Sequence, residues 1–157
     1  MNFSERDFRE TEAETKKVLE FYHRHLTQLL NREYGDIPFT LSYTPTPKFY
    51  DYDAIWTLNG ERKLHIEVKV RKGVYLRQYP QTKVPLRKHA VALFFNNGYG
   101  INTKYLCLFK DGLHSLNLHE MPDKVIDSPN RWDRGGQLCE YALYDIERFK
   151  KLNYETN

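Results

Sequence analysis

The sequence predicts an α/β fold, a central mixed sheet flanked by helices. Apolar residues recur at helical spacing through the first thirty or so positions. Two alternating runs flank Asn59-Gly60, and a continuous apolar strand, Tyr105 to Phe109, follows a second helical stretch. At 157 residues the chain fits one domain, 1–157, with a core large enough to need no disulfide or metal staple. Hydrophobic residues make up 40% and charged residues 29%, which argues against wholesale disorder. A mean hydropathy of -0.74 argues against a membrane-spanning helix. The longest apolar run, Ala90 to Phe95, is far too short for one.

The first element is a helix from about Ser4 to Glu33. Acids crowd its early turns (Glu5, Asp7, Glu10, Glu12, Glu14), where the helix dipole favours negative charge. Val18, Tyr22, Leu26, Leu29 and Leu30 form an apolar stripe, and Gly35 supplies a stop signal. Glu14 lies one turn before Val18 on that stripe. Phe39 to Tyr43 reads as a short strand, and Thr44-Pro45-Thr46-Pro47 interrupts the pattern.

Two strands follow, about Tyr50–Leu58 and Lys63–Val70, joined at Asn59-Gly60, a strong hairpin signal. Leu64, Ile66, Val68 and Val70 form one face of the second strand, with His65, Glu67, Lys69 and Arg71 on the other. On the first strand Tyr52, Ala54, Trp56 and Leu58 oppose Asp51, Asp53 and Ile55. A two-residue loop alone would set the apolar face of one strand against the polar face of the other. A three-residue loop, or a bulge, matches apolar with apolar. In that register Asp53 meets Glu67 and Asp51 meets Lys69, with no functional assumption made.

Beyond Gly73 the chain is basic and rich in tyrosine. Pro85 suits the first turn of a helix running to about Phe94 and ended by Asn96-Asn97-Gly98. Tyr105–Phe109 reads as a buried strand, Asp111-Gly112 as a turn and Leu113–Leu118 as the return strand. Pro122 to Gly136 reads as a polar loop, Gln137–Leu143 as a last strand and Asp145–Leu152 as a short helix.

Charge is unevenly placed. The formal net charge is only +3, yet no Asp or Glu occurs from Val68 to Lys110, where nine cations lie. Cys107 and Cys139 lack a CxxC partner, so they read as reduced, buried thiols of a cytoplasmic protein. The N-terminus has no apolar segment of the secretory type.

Asp53, Glu67 and Lys69 form the constellation that can carry chemistry. Two carboxylates a strand-width apart can share Mg²⁺, which takes hard oxygen ligands, and burying both without a cation is costly. The carbonyl of Val68 is a further candidate ligand. Lys69 projects to the face of Glu67, where it can orient a water or stabilise charge on a phosphate oxygen.

At these residues, Tyr52-Asp53-Ala54-Ile55 and then Leu64-His65-Ile66-Glu67-Val68-Lys69, the chain resembles the PD-(D/E)XK nuclease superfamily. The resemblance covers about Thr11 to Phe109, extends to the helix–strand–hairpin–helix–strand order, and is similar in flavour to archaeal-type Holliday junction resolvases. It implies a restriction-endonuclease-like αβββαβ core. It also implies a Mg²⁺-dependent DNA endonuclease, with Mn²⁺ as a substitute. Asp53 and Glu67 would be ligands, Lys69 the catalytic lysine and Glu14 the first-helix glutamate. Many members of the family also have a Gln, Lys or Tyr beyond the third strand, for which Gln78, Gln81 and Lys83 are the candidates. The family's Pro is absent: Tyr52 precedes Asp53, and Asp51 is an alternative ligand. Branched DNA, being two-fold, would call for two active sites and hence a homodimer.

Arg71, Lys72, Arg77, Lys83, Arg87 and Lys88 follow the site directly and are expected to grip DNA backbone. Tyr75, Tyr79 and Tyr99 read as core residues or as stacking platforms for unpaired bases, with packing the first reading. His65 reads as a phosphate contact or a surface strand histidine. Trp132 reads as part of a contact loop. The alternatives to the nuclease are a non-catalytic nucleic-acid-binding module of the same fold and a protein-interaction domain for an acidic partner.

Overall fold

The computed structural model describes residues 5–36, 38–43, 53–129 and 138–154. Ser4, the Thr44-Pro45-Thr46-Pro47 break, Asp51, Tyr52 and the segment carrying Trp132 lie outside them. The elements are α1 (Glu5–Tyr34), β1 (Phe39–Tyr43), β2 (Ala54–Leu58), β3 (Glu61–Arg71), β4 (Gln81–Pro85), α2 (Leu86–Tyr99), β5 (Asn102–Phe109), β6 (Gly112–Asn117), β7 (Lys124–Pro129), β8 (Leu138–Asp145) and β9 (Lys150–Leu152). Six strands form one sheet in the order β1-β2-β3-β5-β6-β9, and three form another in the order β4-β8-β7. Among the described residues only the β3–β5 pair is parallel. The large sheet is therefore mixed, and the order helix, three strands, helix, strand is the one expected from the sequence, with β4 inserted ahead of α2.

Two cores lie on opposite faces of the large sheet. On one, Val18, Leu19 and Tyr22 of α1 pack on Ala54, Trp56, Ile66, Val68, Leu106, Leu108 and Leu113. On the other, Tyr105, Cys107, Phe109 and Leu116 pack on Val84, Ala92, Ala142 and Tyr144 from the small sheet and α2. Strand alternation accounts for the division: β5 sends even-numbered side chains to the first core and odd-numbered ones to the second. Burial on both faces is why β5 reads as a continuous apolar run. Each such leucine contributes about 1.5–3 kcal/mol by burial.

The β2–β3 hairpin combines a two-residue turn with a bulge. Asn59 (φ 53) and Gly60 (φ 81) both take positive φ, as a tight hairpin turn of the primed kind requires. Leu58 then faces Glu61 and Thr57 faces Arg62, but Trp56 faces Leu64 and Ala54 faces Ile66. Lys63 is the extra residue, and it restores apolar-to-apolar matching before the site is reached.

Three expectations need correction, and one strand is unanticipated. α2 runs on to Tyr99, because the left-handed cap that ends it is Gly100 (φ 67), whose N–H bonds to Asn96, not Gly98. The region expected to be a polar loop contains β7, an edge strand whose Val125 is exposed, so no apolar alternation marks it. The expected helix at Asp145–Leu152 is a 3-10 turn at Ile146–Arg148 followed by β9, which caps the open edge of β6. β4 went unread: only Thr82 and Val84 of its five residues point inward, and pairing with β8 stabilises it.

Candidate functional site

Asp53 heads β2 and Glu67 lies midway along β3. Their approach follows from the hairpin: Asp53 donates its N–H to the Ile66 carbonyl at 2.8 Å, and its Oδ2 accepts the Val68 N–H at 2.7 Å. Asp53 thus holds β3 on either side of Glu67, by its backbone N–H at Ile66 and by its carboxylate at Val68. Glu67 points away from the α1 core, and its side chain is only 13% exposed. Its Oε1 accepts a hydrogen bond from Lys88 Nζ at 2.9 Å.

The electrostatics show how crowded this pair is. Burial pushes Glu67 up to about 8, and the charge on Asp53 pushes it further in the same direction, against the pull of Lys88 and Lys69. Burial also raises Asp53, offset in part by the Val68 N–H, Lys88 and Lys69. Both carboxyls are therefore harder to ionise than free ones despite two neighbouring ammonium groups. Two buried, mutually repelling oxygen donors are a set that a hard divalent cation would relieve, so the residues fit such an ion. Among the described residues, no group of three or more His, Cys, Asp and Glu side chains gathers to hold a metal.

The remaining residues singled out in the sequence are placed as follows. Glu14 pairs with Lys72 at 3.1 Å, and burial together with Glu14 raises the pKa of Tyr154. Lys69 is half-buried on the Glu67 side of β3, close enough to act on both carboxyls. Arg71 ends β3 and influences the buried Tyr105 and Cys107. Arg77 and Arg87 are exposed, while Lys83 lies over the Tyr141 ring at 4.7 Å. Gln81 Nε2 donates to Asp145 Oδ1 at 2.8 Å, and Gln78 is exposed.

His65 is neither a surface residue nor a phosphate contact: it is fully buried, edge-on to Phe95 of α2 at 4.7 Å. Burial, with Arg62 nearby, lowers it to about 4. Cys107 is buried as expected, and its thiol is pushed up to about 12; Cys139 is half-buried, and neither is in a disulfide. Tyr75, Tyr79 and Tyr99 are 47%, 58% and 67% exposed, so the packing reading of all three is overturned.

Lys88 is the site residue whose place the sequence did not reveal. It was expected among the backbone-gripping cations, but the first turn of α2 delivers it to Glu67, 21 positions away. The one available signal is topological: a helix crossing between two parallel strands must lie back across them.

Among the described residues no helix is long and apolar enough to cross a membrane. No protein-family model matches the chain, and a search of curated proteins finds no match. Among solved structures, it is similar to Hjc, a Holliday junction resolvase from the archaeal hyperthermophile Archaeoglobus fulgidus, at 12% identity and a TM-score of 0.39. That likeness covers 81% of this chain and 95% of the other.

Proposed function

We propose that this chain is a divalent-metal-dependent endonuclease that hydrolyses phosphodiester bonds in DNA. The observation that carries the reading is the pairing of Asp53 and Glu67: two buried carboxyls held together at an energetic cost, with a lysine on the same strand face. Folding alone gives no reason to keep such a pair. Asp53, Glu67 and the Val68 carbonyl would hold Mg²⁺ or Mn²⁺. The carbonyl leaves β3 on the same side as the N–H that Asp53 accepts. A bound divalent ion supplies Lewis-acid polarisation of a phosphoryl oxygen and neutralises developing charge. Lys69 orients the attacking water or stabilises a phosphate oxygen. Lys88 keeps Glu67 partnered between turnovers. Arg71, Lys72, Arg77, Lys83 and Arg87 contribute cations along the DNA backbone.

Cleavage of plasmid and branched DNA, assayed with Mg²⁺ and with EDTA, tests this. Asp53→Ala and Lys69→Ala are expected to lose at least about a hundredfold in rate while keeping the wild-type circular dichroism. Full activity in either purified variant overturns the assignment. One observation favours a second reading, a DNA-binding module without catalysis: the Lys88 ammonium already occupies Glu67 Oε1 at 2.9 Å. Salt-sensitive binding with no cleavage in Mg²⁺ or Mn²⁺ is its signature.

A further inference from the structure

The segment 73–80, between β3 and β4, is a hook pinned at both ends and in the middle. Leu76 is its buried anchor, 8% exposed. The Leu76 N–H donates to Asp111 Oδ1 at 3.0 Å, the Lys110 N–H donates to the Val74 carbonyl at 2.9 Å, and the Ile146 N–H donates to the Pro80 carbonyl at 3.2 Å. A 3-10 turn at Leu76–Gln78 closes the bend. The two residues that flank this turn are the exposed Tyr75 and Tyr79, with exposed Arg77 inside it. Lys110 Nζ sits 5.2 Å from the centre of the Tyr75 ring. A cleft of about 180 Å³, lined by Lys72, Leu108, Phe109 and Lys110, opens beside the hook.

A rigid hook that turns its aromatic rings outward is not using them for packing, since Leu76 already anchors it. The hook carries no Asp or Glu of its own. The nearby acid, Asp111, is engaged by the Leu76 N–H. Rings interleaved with cations suit one chemistry in particular: bases offer flat faces and the adjoining phosphates offer charge. Bases within a duplex are already stacked on each other, so the faces must belong to unpaired ones. Lys72 pairs with the largely buried Glu14, yet its own side chain is 54% exposed and still faces solvent. Arg71, where β3 ends and the hook begins, is four residues and about 13 Å along the strand from Glu67. One nucleic-acid strand can therefore reach both.

We propose that this hook reads unpaired nucleobases, with Tyr75 and Tyr79 stacking on them and Arg77, Lys72 and Lys110 taking the neighbouring phosphates. The inference rests on nucleic acid being the ligand, as proposed above, and assigns the substrate class: DNA with a single-stranded segment beside the bond to be cut.

The test is fluorescence anisotropy of the full chain in EDTA, with labelled oligo-dT and with a duplex of equal length. Tyr75→Ala/Tyr79→Ala is expected to weaken oligo-dT binding roughly tenfold or more. Its duplex affinity should change less than twofold, and Tyr75→Phe/Tyr79→Phe should restore oligo-dT binding. Equal losses on both DNAs, or no loss on oligo-dT, overturn the proposal while leaving the nuclease reading intact. So does full displacement of oligo-dT by poly-glutamate at equal charge, which marks a surface for acidic protein. Failure to bind either DNA overturns both readings.

Discussion

Asp53 accepts a backbone N–H and repels Glu67 with the same carboxylate. Its pKa is raised in the fold, so its ionised form costs stability at neutral pH. Asp53→Asn keeps an acceptor for Val68 and removes the charge. We expect the thermal midpoint in EDTA to rise by about 2–4 °C, the shift that ~1 kcal/mol produces in a chain of this size. A lower midpoint would mark Asp53 as a structural residue. His114 is the opposite case, a group kept neutral by burial. It lies 5.8 Å from the Phe109 ring, centre to centre, and its Nδ1 has no hydrogen-bond partner among the described residues. Burial lowers its pKa from 6.5, with Lys151 and Arg77 acting in the same direction and Asp111 opposing. The unfolded chain therefore takes up the proton first. The stability that follows is complete above about pH 6.5 and is lost as pH falls toward the lower folded value. Urea midpoints between pH 7 and 5 should fall less steeply in His114→Phe than in the wild type; equal slopes would contradict this.

Among the elements, the β2–β3 hairpin decides most about the site. Its turn depends on positive φ at two successive residues, Asn59 and Gly60. A side chain at Gly60 would meet nothing within 4 Å, so any cost of adding one is conformational and not steric. Gly60→Val is expected to cost about 1–2 kcal/mol in urea denaturation, and no change would mean that the turn relaxes to another type. The sequence made this hairpin legible because two alternating patterns had to agree, and only a three-residue loop or a bulge reconciles them. The structure uses the bulge, at Lys63. β4, β7 and β9 were not legible. They are short or lie at edges, and they owe their extended form to β8 or β6 rather than to any periodicity of their own.

Over the whole molecule, the acid-free stretch from Val68 to Lys110 was visible as composition, but where its nine cations go was not. Lys88 turns to Glu67, Lys72 to Glu14, and Lys83 and Lys110 to tyrosine rings. Those destinations lie 21 to 58 positions away along the chain, beyond the reach of any local pattern. The meeting of Asp53 with Glu67 was legible because both belong to one hairpin. The approach of Lys88 was not, since it depends on how the crossover helix settles. β5 is the strand on which that crossover lands, and it carries a further consequence. Leu106 and Leu108 belong to the core beneath α1, while Tyr105, Cys107 and Phe109 belong to the core beneath α2 and the small sheet. Neither layer can peel away without uncovering the strand on which the other rests. The carboxyl pair, one strand over, is thereby insulated from partial opening: the scaffold around it comes apart in one event or stays shut.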